Sequence, residues 1–101
     1  MEVAIKSPRF VFSTIGISSA PQVSGVYVLW DGDELIYIGR TVGRFSTIKS
    51  VLGDHCSGFL GLCTQRATHY GFEITQMAAS RERDLLEQFE EAHKRLPRCH
   101  A

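Results

Sequence analysis

The sequence predicts an α+β domain in which a small antiparallel sheet of three strands is flanked by helices. Two apolar runs, 26–30 and 35–38, are rich in β-branched and aromatic residues, and a polar segment containing glycine joins them. Because both runs are nearly continuous rather than alternating in apolar residues, we expect the hairpin to be covered on both faces. Segments with helical periodicity follow the hairpin and supply the covering layers.

The length and composition are those of one small domain. A chain of 101 residues can build one hydrophobic core and is too short for two. We therefore expect a single domain over 1–101, with its central part at 24–100 and an N-terminal arm or edge strand at 1–23. The formal net charge is zero, which argues against a strong, diffuse attraction to nucleic acid. Basic residues still outnumber acidic ones between Arg40 and Gly71, so the sequence allows a local positive surface.

The N-terminal segment contains a short apolar run over 10–17 after two basic residues, as a signal peptide would. The run is short and is interrupted by Ser13, Thr14 and Gly16, so an edge strand or extended arm is the preferred interpretation. No apolar stretch is long enough to predict a membrane span. A cytoplasmic location is expected.

Three further elements are predicted after the hairpin. Ser46 is placed as the N-cap of a helix that ends near His55. The segment 57–69 has no clean period and is predicted as a loop with at most a short helix. Alternating apolar residues predict the third strand over 70–75. The clearest helical pattern follows, over about 79–94.

Two tyrosines, Tyr27 and Tyr37, lie within the predicted hairpin, and a buried phenol needs a hydrogen-bond partner. Simple packing is one interpretation, and a shared site is another. A shared site requires both rings on one face, but a plain two-residue turn at Asp31-Gly32 would place them on opposite faces. The shared site therefore predicts a loop of three or five residues, or a bulge, within 31–34.

The order of residues around these tyrosines resembles the paired motif of the GIY-YIG nuclease superfamily. The motif reads Gly25-Val26-Tyr27, then nine residues, then Tyr37-Ile38-Gly39 followed by Arg40-Thr41. The resemblance extends over most of the chain from Gly25 to His100. It implies a small antiparallel sheet flanked by helices, and metal-dependent hydrolysis of phosphodiester bonds in DNA or RNA.

The last predicted helix carries a carboxylate, Glu82, on its apolar face. Such a carboxylate must be paired, protonated or bound to a cation. Oxygen ligands of this type hold Mg²⁺ or Mn²⁺, with water and phosphate completing the shell. The resemblance assigns this role to Glu82, because the family's metal-binding glutamate is followed three and four positions later by hydrophobic residues, here Leu85 and Leu86. Glu87 is a second candidate that lacks this pattern.

The resemblance also implies roles for the other site residues. Tyr27 would be the general base, Tyr37 its partner in positioning, and His55 the histidine of the first helix. The residues alone leave a second interpretation of His55 open, as a hydrogen-bonded histidine at the margin of the core. The predicted phosphate contacts are basic side chains after the hairpin: Arg40, Arg44 and Lys49.

Two positions depart from the family pattern. Val51 stands where the family usually has an arginine on the first helix, and His100 stands where it usually has an asparagine. These departures motivate a second interpretation, a nucleic-acid-binding module with weakened or lost catalysis. The zero net charge motivates a third, a protein-interaction domain.

The implied partner is nucleic acid, with DNA favoured over RNA. A nuclease domain of this size is expected to take its target choice from a separate targeting subunit or from a homodimer. No membrane partner is predicted.

The three cysteines, Cys56, Cys63 and Cys99, contain no CxxC pair. Their number and spacing suggest neither a disulfide framework nor a standard zinc site. Reduced thiols are the expected state. A zinc site made from the three cysteines and one histidine is the alternative.

Overall fold

The computed structural model describes residues 5–100, and its architecture confirms the predicted α+β class. Residues 1–4 of the predicted arm and residue 101 of the predicted domain lie outside the described residues. Four strands form one antiparallel sheet: β1 (Phe10–Val11), β2 (Gly25–Asp31), β3 (Glu34–Arg40) and β4 (His69–Ile74). Their spatial order is β1-β4-β2-β3. The prediction of three strands is wrong, because the N-terminal segment adds β1 as a fourth strand at the edge of the sheet, on β4. The edge strand expected within 1–23 is thus confirmed, although it is only two residues long.

Four helices and one 3₁₀ turn complete the described fold: α1 (Thr14–Ile17), α2 (Ile48–Cys56), α3 (Leu62–Gln65), α4 (Ala78–His93) and the turn Arg98–His100. The N-cap of α2 is Thr47 and not Ser46, because Thr47 and Ser50 form a reciprocal capping box. None of the helices in the described part of the chain has the length and apolar character needed to cross a bilayer.

The sheet is buried on both faces, as the apolar runs of the hairpin predict. On one face Leu29 packs with Leu52 of α2, and on the other Val28 packs with Leu85 of α4. All four side chains are completely buried. Burying each of them stabilises the fold by about 1.5–3 kcal/mol. We call these surfaces the α2 face and the α4 face of the sheet.

The turn of the hairpin contains Gly32 and Asp33, because Asp31 pairs with Glu34. Gly32 has φ of 60°, in the left-handed region that glycine adopts without steric cost. The predicted loop of three or five residues is therefore wrong, because the turn has two residues. A two-residue turn without any other irregularity would place the two hairpin tyrosines on opposite faces.

A bulge in β3 brings both tyrosines to the α2 face. Trp30 pairs with Leu35, but its neighbour Leu29 pairs with Tyr37. The register therefore shifts by one residue, and Ile36 is the extra residue of the bulge in β3. Ile36 and Tyr37 are consecutive, yet both pack against the core of the α2 face. The predicted bulge is present, but its predicted location within 31–34 is wrong.

Cys63 and Cys99 form a disulfide that links α3 to the C-terminal 3₁₀ turn across 36 residues. The prediction of reduced thiols is therefore wrong for this pair, and the alternative zinc site is lost with it, whereas Cys56 is free. A disulfide that closes a loop of this length stabilises the fold by about 3–4 kcal/mol, because it lowers the conformational entropy of the unfolded chain. Disulfides are rare in a reducing cytoplasm, so this bond counts against the cytoplasmic location, which stays a prediction.

Gly39 leaves space that the ring of Tyr27 occupies. A Cβ atom at Gly39 would lie 2.5 Å from both Cζ and Oη of Tyr27. We expect Gly39→Ala to lower the free energy of unfolding by about 1–3 kcal/mol, measured by urea denaturation, because the added methyl overpacks the α2 face.

The matched control is Gly53→Ala in α2, where a Cβ atom would meet nothing within 4 Å. Alanine is preferred over glycine inside a helix by about 0.5–1 kcal/mol, so this variant should be as stable as the wild type or more stable. An equal loss of stability in both variants would contradict the account of Gly39.

Candidate active site

Three aromatic rings meet on the α2 face: Tyr27 from β2, Tyr37 from β3 and His55 from the last turn of α2. The Tyr27 hydroxyl oxygen lies 2.7 Å from Nε2 of His55. The ring centroids of Tyr37 and His55 are 4.9 Å apart, and those of the two tyrosines are 6.1 Å apart. The structure thus brings together three of the residues that the sequence singles out.

Thr64 of α3 extends this cluster. Its Oγ1 lies 2.7 Å from Nδ1 of His55, and the two side chains are only 4% and 2% exposed. Tyr27, His55 and Thr64 therefore form one buried hydrogen-bonded chain. Sequence analysis missed Thr64, because it lies in the segment 57–69, where no periodicity distinguishes a buried position from an exposed one.

His100 covers the same site from the C-terminal 3₁₀ turn. Its ring stacks on Tyr37 with centroids 4.4 Å apart and planes 10° apart. Its Nε2 accepts a 3.1 Å hydrogen bond from the backbone N–H of Ile38. Because β3 lies at the sheet edge, this contact satisfies a donor that no neighbouring strand can reach. The sequence marked His100 only as a departure from the family pattern, and gave no sign of this packing role.

Glu82 of α4 pairs with Arg40 at the end of β3, with 3.3 Å between Oε1 and Nε. The Glu82 side chain is 25% exposed, so its charge is partly shielded from solvent and is met by the guanidinium. Glu82 belongs to α4, which packs on the face of the sheet opposite to the two tyrosines. Its carboxylate nevertheless contributes to raising the pKa of both Tyr27 and Tyr37. Glu87, the alternative candidate, is exposed.

The electrostatics of the site favour neutral rings. Burial raises the pKa of Tyr27, and the neighbouring Tyr37 and Glu82 add to this effect. Burial, followed by Glu82, likewise raises the pKa of Tyr37. Burial lowers the pKa of His55 to about 4, against a smaller opposing effect of Asp54. At neutral pH the site therefore contains two phenols and an uncharged imidazole.

The predicted phosphate contacts are dispersed. Arg40 pairs with Glu82, but the guanidinium of Arg44 lies 5.9 Å from the ring centroid of Phe45, which is 90% exposed. Lys49 is half-buried and lines a groove between α1 and α2. Within residues 5–100, Arg40 is therefore the one predicted phosphate contact that touches a predicted site residue.

Val51, which stands where the family usually has an arginine, has an apolar environment in the structure. Val51 is half-buried and packs against the core of the α2 face. Position 51 consequently supplies no cation to the tyrosine pair.

A metal ion at this site would depend on one carboxylate. No group of three or more His, Cys, Asp or Glu side chains in the described chain is arranged to hold a metal ion. Mg²⁺ nevertheless binds through one or two carboxylates while it keeps water and substrate oxygens as its other ligands. Glu82 fits this mode of binding if it exchanges Arg40 for the cation.

No family model and no curated protein matches the chain. The relation to the GIY-YIG superfamily stays an interpretation of the hairpin motif.

The burial of a neutral His55 makes the stability of the fold depend on pH. The ring titrates near 6.5 when exposed and near 4 when folded, so the unfolded chain binds more protons between these values. The contribution of His55 is complete above pH 6.5 and is lost as the pH falls to 4. At 1.36 kcal/mol per pH unit, the loss is about 3 kcal/mol.

Urea unfolding between pH 7 and 4 measures this effect. His55→Gln cannot titrate, so its free energy of unfolding should fall less steeply with decreasing pH than that of the wild type. Parallel pH profiles for the two proteins would show that His55 is not held in a neutral, buried state.

Proposed function

We propose that this chain is a metal-dependent endonuclease that hydrolyses phosphodiester bonds in DNA or RNA. Its site would consist of Tyr27, Tyr37, His55 and Glu82. The observation that carries the proposal is the convergence of the two hairpin tyrosines and the helix histidine on one face, which the bulge in β3 makes possible. Packing alone could be achieved with phenylalanine, without hydroxyl groups that need partners.

Hydrolysis requires an activated water, stabilisation of charge on the phosphate and protonation of the leaving oxygen. The Tyr27 hydroxyl can accept a proton from the attacking water while it passes its own proton to Nε2 of His55. The water oxygen then forms the new bond to phosphorus as the bond to the leaving oxygen breaks, and that oxygen takes up a proton from solvent. Because no phenolate accumulates, a tyrosine with a raised pKa can still act as the base.

The remaining side chains would orient the phosphate and balance its charge. Tyr37 is half-buried and can donate a hydrogen bond to a phosphate oxygen or to the water. Glu82 would hold the divalent cation, Mg²⁺ or Mn²⁺, which supplies charge neutralisation when bound. If Glu82 gives up its ion pair, the Arg40 guanidinium becomes available to the phosphate.

A second function, nucleic-acid binding without cleavage, is favoured by two observations. Val51 packs into the core where the family usually has its arginine, and the loss of one preorganised donor costs about 10²- to 10³-fold in rate. Tyr27 is only 3% exposed, which limits the access of a reacting water. In both functions the proposed partner is nucleic acid, with DNA favoured over RNA, bound by a homodimer or with a targeting subunit.

A cleavage assay separates the two functions. Plasmid, single-stranded DNA and structured RNA are incubated with Mn²⁺, Mg²⁺ or a chelator, and binding is measured in parallel at several salt concentrations. We expect cutting that requires the metal ion and falls by about 10²-fold or more in Tyr27→Phe and in Glu82→Gln, because each loses a reacting or metal-binding group.

Glu87→Gln is the matched control, since it removes an exposed carboxylate from the same helix and should cut as the wild type does. Salt-dependent binding in chelator without any cutting would contradict the nuclease and support the binding module. If neither cutting nor salt-dependent binding occurs, both functions are wrong and a protein-interaction domain is the better interpretation.

A further inference from the structure

The one-turn helix α3 buries a polar residue and exposes an apolar one. Thr64 is 4% exposed, whereas Leu62 in the same turn is 69% exposed. Thr64 is also the single buried residue of α3. An apolar side chain is the usual occupant of such a position, so the hydroxyl group of Thr64 needs an explanation beyond packing.

Several features hold Thr64 in place. The connection from α2 to α3 uses Gly58 and Gly61, whose φ angles of 84° and 112° are strained for other residues. A Cβ atom at Gly58 would also lie 2.9 Å from the side-chain amide of Gln65. The disulfide through Cys63, the residue next to Thr64, ties α3 to the C-terminal turn. The hydroxyl of Thr64 is therefore presented to His55 by a backbone that the disulfide restrains.

The hydrogen bonds of His55 allow two arrangements. A neutral imidazole has one ring hydrogen, so either Nδ1–H donates to Thr64 and Nε2 accepts from Tyr27, or both bonds are reversed. The two contacts have the same length, 2.7 Å, so distance does not distinguish the arrangements. Tyr27 retains its proton, and its phenol O–H is a stronger hydrogen-bond donor than the aliphatic hydroxyl of Thr64, which favours the first arrangement.

We propose that Thr64 is a positioning residue that accepts the Nδ1–H bond of His55 and thereby keeps the Nε2 lone pair directed at the Tyr27 hydroxyl. In the reverse tautomer Nε2 already carries a hydrogen and cannot take the proton of Tyr27. The catalytic meaning of this inference rests on the proposed nuclease function. The tautomer itself is a property of the folded chain and needs no substrate or metal.

Nitrogen NMR of the ¹⁵N-histidine-labelled protein near neutral pH reads the tautomer directly. We expect a protonated Nδ1 and an unprotonated Nε2 for His55 in the wild type and in Thr64→Ser, which keeps the hydroxyl. Thr64→Val removes the acceptor, so the Nδ1–H form should be lost or mixed with the Nε2–H form. Thr41→Val is the matched control, because it also removes a buried hydroxyl acceptor, here of the Gly25 N–H.

The same variants are then compared in the cleavage assay. Thr64→Val should lower kcat by about 10- to 100-fold, the loss that is typical when a metal-ligating histidine loses the group that orients it through a hydrogen bond, with KM for nucleic acid unchanged. Thr64→Ser should restore most of the rate. A merely structural role would lower stability in Thr64→Val without changing the tautomer of the molecules that remain folded.

The outcomes separate this inference from the proposed function. A wild-type His55 with its hydrogen on Nε2 would overturn the inference, even if Thr64→Val failed to fold. A Thr64→Val protein that keeps the Nδ1–H form would overturn it as well. If the tautomers follow the expectation but no protein cuts nucleic acid, the nuclease proposal is wrong and the positioning of His55 by Thr64 is supported.

Discussion

The hydrogen bond between Tyr27 and His55 is the interaction on which the rest of the site depends. It joins the centre of the sheet to the end of α2 through two groups that are almost completely buried. Each group would cost free energy without a partner, and Thr64 satisfies the remaining ring nitrogen. Among the described residues, every buried side-chain nitrogen or oxygen has a partner. The polar chain is therefore fully satisfied inside an otherwise apolar layer.

The C-terminal turn completes the site at the exposed edge of the sheet. His100 stacks on Tyr37, and Arg98 lies 3.0 Å from both Asp31 and Glu34, which flank the turn of the hairpin. Exposed ion pairs of this kind contribute at most about 1 kcal/mol each. The disulfide through Cys99 is consequently the strongest attachment of this turn, and it places a redox-sensitive bond directly beside the ring that covers Tyr37.

The local elements were predictable from the sequence, whereas the non-local contacts were not. The hairpin and the final helix follow from composition and periodicity, and their predicted bounds lie within a few residues of the observed ones. An edge strand is one of the two interpretations of the N-terminal segment, but β1 has only two residues, and its pairing with the distant β4 is not revealed by any local pattern. The disulfide between Cys63 and Cys99 and the contact of Thr64 with His55 are likewise non-local, and no local pattern predicts them. The hairpin motif indicated a shared face, but the bulge at Ile36 lies where the turn residues give no signal.

The central claim is that Glu82 and the tyrosine pair form one site for a divalent cation. Line broadening by substoichiometric Mn²⁺ in NMR spectra of the chain tests it most directly, without a substrate. The account predicts selective broadening of resonances from Arg40, Tyr37 and Glu82, its loss in Glu82→Gln and its retention in Glu87→Gln. Broadening that is centred elsewhere, or that persists unchanged in Glu82→Gln, would contradict the claim.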